Sequence, residues 1–216
     1  LNAAATPVVS RYLEVLKERT STVVPEAQVL FMQSNGGSMT VNAARRSPAQ
    51  LIYSGPAAGV LACQFVGRLT NQPNVLGFDM GGTSTDISLV YRGEPLMTTE
   101  ADVGGYPVKL PVLDINTIGA GGGSIAFINS GGGLQVGPRS AGADPGPVAY
   151  GRGGTEPTVS DANLVLGRLS GELLGGAMSL DVEKARAALQ SISDHLGFSV
   201  ERTAHGMLGI VVANMV

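Results

Sequence analysis

The sequence predicts an α/β protein in which a mixed β-sheet carries flanking helices. Three observations lead there. Apolar residues make up 44% of the 216 and aromatics only 5%, with no Trp, so the core is built from Val, Leu, Ile and Ala. Short apolar runs separated by glycine-containing turns come first and read as strands, largely in antiparallel hairpins. Longer amphipathic patterns come last and read as helices. A chain of this length buries a sizeable core, as one large or two small domains.

The elements follow in order. Thr6–Thr20 (TPVVSRYLEVLKERT) predicts a helix, with Val8, Val9, Leu13 and Leu16 as its apolar positions and Pro7 near its start. Pro25 ends it, and Ala27–Met32 (AQVLFM) is an apolar run suited to a buried strand. The loop Gln33–Gly37 follows at that strand's carboxyl end, where ligands sit in open α/β sheets. Ser54-Gly55-Pro56 leads into a helix over Ala57–Leu69, with Gly59 and Gly67 as weak points. VLGFDMGGTSTDISLV (75–90) predicts a hairpin, and Glu94–Thr98 a shorter strand. Asp114–Ile118 feeds GAGGGS and then IAFI, a second strand–turn–strand. Val136–Pro157 has no periodicity and reads as one long loop; structureless loops beyond ~12–15 residues are usually functional or disordered. Helices over 160–169, 181–196 and 199–216 close the chain. Asp181 and Glu183 suit the start of the second of these, and Gly197 its end.

Composition excludes several functions. The net charge of -3 without any Lys/Arg block argues against nucleic acid as a partner. No apolar run approaches the ~18 residues of a membrane span, and no signal peptide is visible. Cys63 is the single cysteine. It lies in the apolar run GVLACQFVG and reads as a core residue in a reducing compartment, the cytoplasm. The chain begins without Met and stops within a helical pattern, so the expectation is a piece of a longer polypeptide.

The 31 glycines are about double the ~7% average usage, and they cluster in loops. A Walker A loop needs a lysine after glycine, and none of Lys17, Lys109 and Lys184 follows one. The dinucleotide fingerprint fails at Gly119–Ser124, where the final glycine is missing and a strand follows. A hairpin that cradles phosphate remains. Asp79 stands at the strand mouth, Gly81 and Gly82 open the backbone N–H groups as an anion nest, Thr83, Ser84 and Thr85 add hydroxyls, and Asp86 begins the outgoing strand. Asp79 there would orient a Mg²⁺-bound or attacking water. The bland alternative is a plain tight turn in which Gly-Gly supplies positive φ. Gly121, Gly122, Gly123 and Ser124 repeat the pattern, with a simple hairpin tip as their alternative. Arg139 and Arg152 are the cations of the glycine-rich loop, either contacting an anion or merely solvated. Asp144 and Asp161 fit metal or water ligation, and Asp161 equally fits helix-start chemistry. His195 and His205 lie far apart with no cysteine near, which excludes a zinc site and a Ser-His-Asp triad.

The strings SNGG (34–37), SGPAAGV (54–60), FDMGGTSTDISLV (78–90), TIGAGGGSIA (117–126), VGPRSAGADPGPVAYGRGG (136–154) and PTVSDANLVLGRL (157–169) occur here in one order. Together they resemble the hydantoinase A / 5-oxoprolinase family of ATP-hydrolysing hydantoinases, which is related to the β subunits of acetone-type carboxylases. The resemblance implies an incomplete actin/Hsp70/sugar-kinase-like (ribonuclease-H-like) lobe over 1–216, with ATP and Mg²⁺ or another divalent cation as cofactors. By that resemblance Asp79 is the catalytic and metal-binding acid. Gly81, Gly82, Thr83, Ser84 and Thr85 complete the implied phosphate motif, and the pattern of the glycine loops adds Asp86, Gly121, Gly122, Gly123 and Ser124 as nucleotide-binding candidates. The implied activity is ATP-dependent opening of a cyclic amide or imide such as hydantoin or 5-oxoproline, with a hydantoinase B-type partner subunit. The alternatives are an ATP-dependent ketone carboxylase subunit and a non-catalytic nucleotide-binding assembly module. Two departures stand out. The family's first D-x-G-G-T hairpin and its later adenosine segment are absent, and the P-G-P-A-C-Y of relatives is Pro145–Tyr150 (PGPVAY) here, without a thiol.

Overall fold

A computed structural model describes residues 2–103 and 105–216. The chain forms two compact units: Leu1–Phe78 with Asp86–Asn116, and Asp79–Thr85 with Thr117–Val216. The stretch Asp79–Thr85 therefore folds with the C-terminal unit.

In the first unit, α1 (Asn2–Val23) is longer than its sequence pattern and runs through Pro7. Leu13 alone is buried along it, packed with Met39 and Ala44. The strand β1 (Leu30–Met32) pairs antiparallel with β2 (Ser38–Thr40). Gln33–Gly37 is thus the tip of a hairpin, closed by the Gln33 N–H donating to Gly37 carbonyl at 2.7 Å, and not the mouth of a parallel sheet. Thr40 caps α2 (Val41–Arg46), and α3 (Ser54–Leu69) follows. Next come β3 (Val75–Met80) and β4 (Thr85–Tyr91), neighbours in a four-stranded sheet. Their short connection leaves only antiparallel pairing, since parallel neighbours need a crossover of about a dozen residues. The expected strand Glu94–Thr98 is divided at Leu96 into β5 (Glu94–Pro95) and β6 (Met97–Thr98). The ribbon β7 (Ala101–Val103) with β8 (Tyr106–Val108) follows, then β9 (Val112–Leu113), which pairs with β6, and β10 (Ile115–Ile118), which pairs with β4. Ala57 and Val60 of α3 pack on Val90 and Leu113, and half-buried Cys63 adjoins them.

In the second unit, β11 (Ser124–Ile128) pairs antiparallel with β12 (Leu134–Ser140). Residues 136–140 of the expected long loop are therefore strand. IGAGGGS is no hairpin tip either, because β10 and β11 belong to different sheets. After α4 (Val159–Val165) come the ribbon β13 (Glu172–Leu173) with β14 (Met178–Ser179), then α5 (Val182–Leu196) and α6 (Val200–Ala213). The helices share one core with the β11–β12 ribbon: Ala126, Val136, Val159, Ala162, Leu189, Ile192, Met207 and Val211 are all buried. Each fully buried Val, Leu, Ile or Met side chain there contributes roughly 1.5–3 kcal/mol. Asp181 caps α5 through the Lys184 N–H (2.9 Å), Gly197 ends it at φ +67°, and Ser199 caps α6.

Among the described residues the expected single mixed sheet is instead one four-stranded sheet and five two-stranded ribbons. Glycine and proline interrupt the ladders before they can extend. No described helix is long and apolar enough to cross a membrane.

Candidate functional site: two glycine loops locked back to back

The hairpin tip 81–84 is closed by the Gly81 N–H, which donates to the Ser84 carbonyl at 2.8 Å. Neither Gly81 nor Gly82 takes a positive φ, so the plain-turn explanation for the pair fails. A Cβ on Gly82 would meet nothing within 4 Å, and one on Gly81 only the Ser84 carbonyl at 3.5 Å. The fold itself asks for glycine at neither position. Asp79, Gly81, Gly82 and Thr83 are exposed and Ser84 is half-buried. The N–H groups of Gly82, Thr83 and Ser84 find no acceptor within this unit.

The second glycine loop holds this tip from behind. Gly122 and Gly123 donate their N–H groups to the carbonyls of Gly81 (2.9 Å) and Gly82 (2.6 Å). The Gly121 N–H goes to Ser124 Oγ at 2.9 Å, and the Ser124 N–H to the Gly121 carbonyl at 3.1 Å. All four donors of Gly121–Ser124 are thereby used inside the protein. Here glycine is required by close approach: a Cβ on Gly121 or Gly123 would lie 2.8 Å from the Gly82 carbonyl oxygen. A Cβ on Gly122 would lie 2.7 Å from Ser160 Oγ. Thr85, fully buried, adds a third tie through its hydroxyl to the Ala120 carbonyl at 2.6 Å.

The remaining sequence candidates separate. Asp161 is fully buried and structural. Its carboxylate accepts from Thr158 N–H (2.8 Å), Thr158 Oγ1 (2.7 Å), Ala149 N–H (2.8 Å) and Val148 N–H (3.3 Å), which excludes metal ligation by it. The PGPVAY segment is thus pinned to the start of α4 through its backbone, whatever side chain stands at Ala149. Asp86 lies in the first unit, where burial first, then the charges of Asp102 and Asp86, push the Tyr53 hydroxyl up from its ordinary pKa. Arg139 pairs with Glu156 at 2.7 Å, and its guanidinium sits 5.5 Å from the Phe127 ring centroid. Arg152 is exposed. Ser140 carried no sequence signal, yet its Oγ lies 3.3 Å from Thr83 Oγ1 and accepts from the Gly142 N–H at 3.1 Å. It borders a groove of about 460 Å³ that Arg139, Asp144, Thr155 and Glu156 also line.

The arrangement suits an anion better than a bare cation. Three successive residues of an exposed glycine tip, Gly82, Thr83 and Ser84, carry N–H groups without an acceptor in this unit, the kind of donor a phosphate site uses. Among the described residues no cluster of three or more His, Cys, Asp or Glu side chains offers a protein cage for a metal. One carboxylate, Asp79, is nevertheless enough for Mg²⁺, which is commonly held by one or two carboxylates and the phosphates themselves.

The family profile for hydantoinase/oxoprolinase matches residues 1–216. The chain belongs to the hydantoinase/oxoprolinase family. The α subunit of caprolactamase from Pseudomonas jessenii is 44% identical over 100% of this chain and 31% of its own length. The crystal structure of that ATP-dependent caprolactamase superposes with TM-score 0.78. 5-Oxoprolinase 1 of Arabidopsis thaliana is 36% identical, again over 100% of this chain but 18% of itself. The nucleotide-free structure of acetone carboxylase, an enzyme of ATP-dependent acetone carboxylation, superposes with TM-score 0.84 at 30% identity. That match covers 97% of this chain and 29% of the carboxylase chain. The family member described here therefore spans about a third or less of each of these relatives.

Proposed function

We propose that this chain is the phosphate-hairpin segment of an ATP-dependent hydrolase of cyclic amides or imides. In this reading it is part of an actin-like, ribonuclease-H-like ATPase lobe and works in the cytoplasm beside a hydantoinase B-type subunit. The observation that carries the reading is the hairpin tip. Its two glycines are required by neither φ nor packing, and the N–H groups of Gly82, Thr83 and Ser84 are unspent within their unit. Such a tip makes sense if something else approaches it closely. The family's ATP-dependent members supply the class of ligand.

The N–H groups of Gly82, Thr83 and Ser84 and the Thr83 hydroxyl hold the phosphates. Gly121–Ser124 serve them indirectly, by fixing the hairpin carbonyls so that the N–H groups are preorganised. Asp79, exposed at the end of β3, holds the divalent cation or orients water. ATP, when bound, would supply the phosphoryl group that activates the inert amide carbonyl toward attack by water, so that the ring C–N bond can break and inorganic phosphate is released. In the full-length protein, Asp79→Ala is expected to lower ATP hydrolysis and ring opening together by ~100-fold or more, the scale of losing a key electrostatic contact. Unchanged ATP and ring hydrolysis in that variant removes Asp79 from the role.

A second reading, an ATP-dependent ketone carboxylase subunit, is favoured by the superposition on acetone carboxylase. Turnover assays with hydantoin, 5-oxoproline, a lactam, and a ketone plus bicarbonate separate the two.

A further inference from the structure

The groove beside the hairpin has a chemistry of its own. Its polar lining is Arg139, Ser140, Asp144, Thr155 and Glu156, and it holds about 460 Å³, room for a single small ring. Ser140 belongs both to the groove and to the hairpin contact, through Thr83 Oγ1 at 3.3 Å. The Arg139 guanidinium and Glu156 carboxylate stand side by side at 2.7 Å, with side chains 59% and 48% exposed. Exposed pairs are weakly held and readily opened by a competing ligand.

We propose that this groove is the ring-amide site, and that it selects a neutral cyclic amide over one bearing a carboxylate. A small ring forces its amide to be cis, so the carbonyl oxygen and the N–H lie on the same edge. That edge matches the Arg139–Glu156 pair: the guanidinium donates to the carbonyl, and the carboxylate accepts from the N–H. The charge balance sets the preference. One guanidinium and two carboxylates, Asp144 and Glu156, line the groove, so an anionic ring meets net like charge. The role of Ser140 is to tie the ring site to the phosphate hairpin, and this assignment rests on the ATP reading above.

The test titrates ε-caprolactam, a neutral lactam, and 5-oxoproline, a lactam with a carboxylate, into the full-length protein by calorimetry, with ATP titrated separately. The neutral lactam is expected to bind at least ~10-fold more tightly than 5-oxoproline, an electrostatic discrimination of ordinary size. Arg139→Gln and Glu156→Gln should each weaken lactam binding ~10-fold while ATP affinity stays within about twofold. Asp144→Asn should raise the affinity for 5-oxoproline, a gain that misfolding cannot produce. Equal lactam affinity in wild type and both glutamine variants, tighter binding of 5-oxoproline, or no lactam binding to wild type each overturns the assignment. A wild-type protein that binds lactam through Arg139 and Glu156 but never binds ATP keeps the groove and removes the phosphate reading.

Discussion

Gly82 and Gly121 sit in similar strings but answer to different constraints. Open space surrounds the Cβ position of Gly82, whereas that of Gly121 lies 2.8 Å from the carbonyl oxygens of both Gly81 and Gly82. Backbone atoms cannot swing aside as a side chain can. Gly121→Ala is therefore expected to destabilise by ~1–3 kcal/mol, the usual cost of overpacking, read as a lowered urea midpoint. Gly82→Ala should stay within ~0.5 kcal/mol of wild type, yet lower ATP hydrolysis of the full-length protein ~10-fold or more by crowding the phosphates. Asp161 makes a third case. Removing its carboxylate by Asp161→Ala strands four donors in a fully buried position and should cost ~3 kcal/mol or more in the same unfolding measurement. The sequence marked Asp161 as an open choice between ligand and helix start. Only the convergence of Val148 and Ala149, 13 and 12 residues away along the chain, decides for structure.

Among the elements, the helices were the most legible and the strands the least. The 3.6-residue pattern and the capping residues Asp181, Ser199 and Gly197 place α5 and α6 nearly as the sequence reading had them. The strands here run from two to seven residues, too short for alternation to reveal where one ends. Leu134–Ser140 shows why: Gly137 and Pro138 hide a strand that pairing with β11 nevertheless forms. The α5–α6 pair is also bridged by Arg186 and Glu201 at 2.6 Å. The hydrogen bond from Arg186 holds the Glu201 carboxyl below its ordinary pKa. A depressed folded value means the contribution is complete above the unfolded Glu value of about 4.3 and is lost as pH falls through the folded one. The Tm difference between wild type and Glu201→Gln should accordingly be positive at neutral pH and vanish in acid, small throughout because both side chains are exposed.

At the scale of the whole molecule, the proposed ATPase needs more polypeptide than these residues. The chain corresponds to 31% of the caprolactamase subunit and 18% of the plant 5-oxoprolinase. ATP hydrolysis measured on the 216 residues and on the full-length protein is expected at background for the first and well above it for the second. Comparable rates in both would overturn the assignment of a partial ATPase. The sequence by itself determined the family, the helices and the hairpin motif, because motif order and helical periodicity are local properties of the chain. Tertiary structure alone decided how the two glycine loops divide the work. Gly82, Thr83 and Ser84 leave their N–H groups open within the unit, whereas Gly121–Ser124 spend theirs inside it, those of Gly122 and Gly123 on the hairpin carbonyls. No local signal distinguishes a glycine kept for a ligand from one kept for a neighbouring carbonyl. The difference is the atom that stands within 3 Å of the missing Cβ, and folding brings that atom from about 40 residues away.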